Sequence, residues 1–183
     1  MNQNTHTLRL HDFLVGGEGW GSKAGGVARK KLQQRLGGFT SVALLRLSMT
    51  GVRKIDVSFA SEAICELVRE RLGQCAICLV DVGDEDVRAN VVAAAQRTGV
   101  PVTLWNAGEV EVAGPPLGPA MGKALALALG RPQLRTSDLV REQGLKVTAA
   151  SNLLRQLAAR GYLLRQLNPA SSGGTEFIYS RIG

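Results

Sequence analysis

Residues 112–119 read Val-Ala-Gly-Pro-Pro-Leu-Gly-Pro, three prolines and two glycines in eight positions. Proline fixes φ and removes a backbone donor, so neither a helix nor a central strand continues through such a stretch. The chain is expected to divide there, with one domain at 1–111, a linker at 112–118 and a second domain at 119–183. A length of 183 residues leaves each part large enough to bury a core of its own.

Charge divides at the same place. From residue 119 onward there are nine bases (Lys123, Arg131, Arg135, Arg141, Lys146, Arg155, Arg160, Arg165 and Arg181) against Asp138, Glu142 and Glu176, so most of the net charge of +7 belongs to the second domain. A basic module joined to a near-neutral one points to a polyanion, because surface charge steers and holds nucleic acid. Charge alone leaves a solvated basic surface and an anionic membrane as alternatives. With 45% hydrophobic and 20% charged residues the chain lies outside the composition of disordered proteins. No apolar run approaches the roughly 18–20 residues of a bilayer span, and the first residues lack a basic stretch followed by an apolar one. The expected location is therefore the cytoplasm, with no membrane partner.

Before the linker, apolar runs rich in β-branched residues alternate with helical patterns, at 7–14, 23–36, 42–47, 60–72, 76–82, 85–97 and 100–105. A continuous apolar run such as Ala76-Ile77-Cys78-Leu79-Val80 suits a strand covered on both faces, and connections through helices imply a largely parallel sheet. The first domain is thus expected to be α/β.

After the linker, a short helix at 123–129 must stop at Gly130 and Pro132. A second, with polar caps at Thr136, Ser137 and Asp138, ends at Gly144. Thr148 can cap a third, whose Leu153, Leu154, Leu157 and Ala158 share a face while Asn152, Arg155 and Gln156 are directed away. Gly161 closes that helix, and strand-like runs at 162–167 and 176–181 flank a loop at 168–174 with no apolar content.

This order, and above all the stretch at 147–163, resembles the winged helix-turn-helix of bacterial transcription regulators, a small α+β domain. The resemblance covers about 65 residues. It implies that the third helix enters the major groove of double-stranded DNA, with Thr148, Ala149, Ser151, Asn152 and Arg155 reaching bases and phosphates. Arg155 and Asn152 are the types that bind guanine and adenine edges bidentately. Arg165 and Arg181, at the base of the wing, suit phosphates. The loop at 168–174 carries no Lys or Arg, which argues against insertion of the wing into the minor groove. A palindromic site would call for a homodimer. The alternative is that the module docks proteins, although its acid-free, polar third helix speaks against this.

The segment 51–64, Gly-Val-Arg-Lys-Ile-Asp-Val-Ser-Phe-Ala-Ser-Glu-Ala-Ile, is similar to STAS-like domains bearing a Ser-Phe-Ala-(Asp/Ser)-Glu signature, relatives of anti-sigma-factor antagonists, with a helix at 21–36 upstream. The resemblance spans about residues 7–105 and implies an α/β sandwich that senses a signal, dimerises or docks a protein partner. It also marks Ser58, and second Ser61, for a phospho-switch or docking role, since a phosphate is tolerated at a helix amino terminus. Ser58 as a plain helix cap is the competing reading, and Phe59 after the serine departs from the antagonist pattern.

Other motifs point to no catalytic residue, cofactor or metal. The glycine-rich 16–23 lacks P-loop spacing. Cys75 and Cys78 have neither a second pair nor a nearby histidine, so they and Cys65 are expected as reduced core thiols. His6 and His11 accompany no nucleophile, and Asp81, Asp84, Glu85 and Asp86 look like a helix start favoured by its dipole. The expected protein is a non-enzymatic, DNA-binding regulator of transcription, the alternative being an adaptor in which both domains bind proteins.

Overall fold

In a computed structural model of the chain, residues 4–39, 43–169 and 175–183 are described. The chain divides into two compact units, 1–115 together with Gly183, and 116–182.

The first unit contains β1 (Thr5–Arg9), β2 (Glu18–Gly19), α1 (Gly21–Gly37), β3 (Leu44–Ser48), β4 (Lys54–Ile55), α2 (Val57–Ala60), α3 (Glu66–Arg71), β5 (Ala76–Val80), α4 (Glu85–Thr98), β6 (Val102–Asn106) and β7 (Glu109–Ala113). A π-helical turn at Ser61–Cys65 joins α2 to α3. The main sheet has the order β1-β3-β5-β6-β7, parallel except for the antiparallel β6–β7 pair. Each parallel crossover moves to the next strand in the same direction, and crossovers of one hand therefore leave their helices on one face. The helices accordingly pack on one another and on Leu45, Leu47, Ile77, Leu79, Val102 and Leu104. The opposite face carries Thr7, Arg46, Cys78, Thr103 and Val112 in one row across the sheet. The expected mainly parallel α/β sheet is present, but its helices cover one face, not two.

Two further expectations change. The run at 7–14 is a strand only to Arg9, after which Leu10–Phe13 forms a 3-10 turn. The linker begins later than 112, because Val112 and Ala113 close the sheet as the end of β7. An edge strand needs ladder bonds on one side only, so the prolines that follow it do no harm.

One close contact shapes the helical layer. A Cβ on Gly25 of α1 would stand 2.8 Å from the Glu62 Cβ and 2.8 Å from the Phe59 carbonyl oxygen. Only a residue without a side chain lets the two backbones approach this far.

The second unit consists of α5 (Pro119–Leu129), β8 (Leu134–Arg135), α6 (Thr136–Gln143), α7 (Val147–Ala159), β9 (Leu164–Pro169) and β10 (Thr175–Ser180). Its antiparallel sheet has the order β8-β10-β9. Pro119 is compatible with the first turn of α5, where an amide is unpaired in any case, so this helix starts four residues before the expected 123. Gly144 ends α6 at φ +64° as a left-handed cap. The second unit's core is built from Ala124, Ala128, Leu134, Leu139, Ala150, Leu154, Leu157 and Tyr179, all nearly inaccessible. Tyr162 and Leu163 are buried but precede the first hairpin strand, which starts at Leu164.

Candidate nucleic-acid interface

Helix α7 takes its orientation from the side chains it buries. Ala150, Leu154 and Leu157 face the core, with Leu153 and Ala158 half-buried beside them. The opposite face is fixed by the helical period. Thr148, Ala149, Asn152 and Arg155 are exposed there, and Ser151 is half-buried at its margin. Thr148 does not cap the helix. Lys146 occupies the cap position without a side-chain bond, and Val147 is already helical, which leaves Thr148 inside the first turn. The caps expected for α6 also shift: Arg135 is the cap residue, and its backbone amide donates to Asp138 Oδ2 at 2.9 Å.

The ionic arrangement of this unit separates its charges. Asp138 accepts from Arg141 at 3.0 Å, Glu142 from Arg131 at 2.8 Å, and Glu176 lies 3.6 Å from Arg135. The Arg131 guanidinium holds the Glu142 carboxyl below its ordinary range, first through its hydrogen bond and then through its charge. Each acid of the unit is thus matched by an arginine. Lys123, Lys146, Arg155, Arg160 and Arg165 make no ion pair among the described residues.

The arginines singled out in the sequence have distinct surroundings. Arg155 donates to Asn152 Oδ1 at 2.9 Å, which aligns the two side chains on the exposed face. The Arg165 guanidinium stacks 3.5 Å from the centroid of the Phe177 ring. Arg181 donates to the Leu129 carbonyl at 2.9 Å and so ties β10 to the end of α5. The structure brings Thr148, Ala149, Asn152 and Arg155 together on one helix and sets Arg165 and Arg181 on the hairpin side. Lys146, which opens α7 and is exposed, belongs with the first group; its position directly before the helix was the available signal. The loop residues 170–174 lie outside the described residues.

In the first unit, Ser58 is half-buried and does not cap α2. The cap is Asp56, whose Oδ1 accepts the Phe59 amide at 2.6 Å, while both carboxylate oxygens lie 3.0 Å from the Gly21 amide at the start of α1. A carboxylate is the better cap because it meets both unpaired amides and the positive end of the helix dipole. Ser61 is buried: its hydroxyl donates to the Val57 carbonyl at 2.8 Å and accepts from Arg97 at 2.7 Å. The acidic run after β5 also divides. Asp84 caps α4 by accepting the Val87 amide at 2.9 Å. Asp81 stands apart from that helix at φ +60° and accepts the Ser48 hydroxyl at 2.7 Å.

All three cysteines are free, with Cys65 and Cys78 buried and Cys75 half-exposed. Burial pushes the Cys78 thiol up to about 11. Among the described residues no helix is long and apolar enough to cross a membrane.

Comparison with known proteins adds little. No family model matches the chain, and no curated protein is similar to it. A possible transcriptional regulator from Methanosarcina mazei Go1 is 22% identical in a solved structure with a TM-score of 0.34; the match covers 37% of this chain and 57% of that one. The chain therefore matches little more than half of that protein's length, and a likeness this slight bears on neither fold nor function.

Proposed function

We propose that residues 116–182 are a winged helix that binds double-stranded DNA, and that residues 1–115 are a STAS-like module that docks a partner or receives a signal. The protein is then a regulator of transcription rather than an enzyme. The observation that carries this reading is the sorting of charge in the second unit. Its three acids are matched by Arg131, Arg135 and Arg141, so cations with no ion pair among the described residues remain at and around an exposed, acid-free helix face. Helix α7 lies in the major groove, Arg155 and Asn152 read base edges, and Lys146 and Arg165 hold phosphates.

The test is retention of a labelled genomic DNA pool by the purified protein across a salt series, followed by sequencing. Enrichment of a discrete site, with affinity falling as salt rises, is expected. Failure to retain DNA even at low salt overturns the proposal.

A second reading has its own observation. Val147 is 64% exposed at the start of α7, and Leu167 and Phe177, cross-strand neighbours on the hairpin, are 60% and 37% exposed. Such apolar side chains suit a protein partner or a second copy of the chain, and the module would then be an adaptor. Binding to a partner protein that is insensitive to salt would favour it.

A further inference from the structure

The near-neutral sum of the first unit conceals a segregated charge. Helix α1 holds five bases, Lys23, Arg29, Lys30, Lys31 and Arg35, and no acid in 17 residues. Its buried stripe is Gly25, Ala28, Leu32 and Leu36, which lies against the core. At 3.6 residues per turn Lys23, Val27, Lys30, Lys31 and Gln34 fall within roughly 100° of arc on the other side, and all five are exposed.

The neighbouring carboxylates do not neutralise this face. Glu62 and Glu70 both meet Arg29, Glu66 meets Arg69, and Glu18 meets Arg53. Lys23, Lys30 and Lys31 make no ion pair among the described residues.

We infer that this face of α1 is a second DNA contact, one that grips the phosphate backbone without reading sequence. It extends the DNA-binding reading to the other unit. Charge complementarity selects a polyanion, and the face itself selects among polyanions. A helix lying in a membrane interface needs a broad apolar face turned to the lipid, whereas the apolar stripe of α1 is already buried and Val27 alone interrupts the outer arc. Three lysines on flexible stems along two turns suit a run of phosphates, which needs point charges rather than fixed forks.

The test uses the full chain and a labelled duplex of arbitrary sequence. Affinity is followed against salt for the wild type, for Lys23→Gln/Lys30→Gln/Lys31→Gln, and for Lys146→Gln/Arg155→Gln. Each phosphate contact contributes about 0.9 to the slope of log affinity against log salt. The α1 triple variant, with an unchanged melting temperature, is expected to lose about 2–3 from that slope, and arginine at the same three positions to restore it. An unchanged slope in the triple variant, with a reduced slope in the α7 variant, overturns this inference and leaves the winged helix in place. No binding by the wild type at low salt removes both. Loss of binding to phosphatidylserine vesicles by the triple variant, with its DNA slope intact, also overturns it and assigns the face to a membrane.

Discussion

In the first unit two aspartates hold backbone and hydroxyl groups in place, whereas in the second all three acids are set against arginines. In the first unit Asp56 accepts backbone amides from two helices and Asp81 accepts the Ser48 hydroxyl, so these acids are part of the framework. In the second, Glu142 and Glu176 meet arginines at the surface and Asp138 meets Arg141 besides capping α6, while Lys123, Lys146, Arg155, Arg160 and Arg165 are exposed. An acid that holds backbone is costly to remove from the fold. An acid that masks an arginine shapes the outer field, and its removal changes what the surface attracts.

Substitutions can break this contrast. The largest expected effect falls in the framework of the first unit: Phe59→Ala, at a side chain 1% exposed, should lower unfolding stability by about 3–5 kcal/mol in denaturant titration. A loss below ~1 kcal/mol would mean that the helical layer is not packed as described. On the surface of the second unit, Arg155→Ala should weaken specific DNA binding by about 1–3 kcal/mol while leaving the melting temperature in place. Unchanged affinity removes Arg155 from the interface.

A finer division lies within one turn of α2. Asp56→Ala should cost about 1–2 kcal/mol, and Ser58→Ala less than ~0.5. The reverse order would return the capping role to the serine. The smallest effect is a pH dependence. Because the folded Cys78 thiol titrates near 11 rather than at its ordinary value near 9, the folded state favours its protonated form. That contribution is present in full below the ordinary value and is lost as pH rises to about 11. Melting temperature should therefore decline over that alkaline window, and a Cys78→Ala variant should show less of the decline.

Much of the fold was readable because burial leaves a period in the sequence. Ala76 to Val80 announced a strand, and Leu154 and Leu157 the inner face of α7. What escaped was decided by contacts distant in sequence. Nothing local distinguishes Asp56 from Ser58 as a cap until the Gly21 amide arrives beside the carboxylate. The strand β7 was obscured by the prolines that follow it, and the two-residue β8 is too short to show any period. The exposed face of α7 was legible as a by-product of its buried one. The engagement of Arg181 with the Leu129 carbonyl was not, because a basic residue in sequence carries no mark of the carbonyl it will meet.

The Asp56 carboxylate has a consequence for the order in which the first unit assembles. It joins the starts of two helices whose amides stand 35 positions apart for Gly21 and three for Phe59. The local bond can form as soon as α2 nucleates, whereas the distant one must first close the intervening loop against chain entropy. The cap of α2 is thus a local bond, and the tie to α1 is one that only the assembled unit can make. Removing the carboxylate should then release the start of α1 as well as that of α2, although the two lie far apart along the chain.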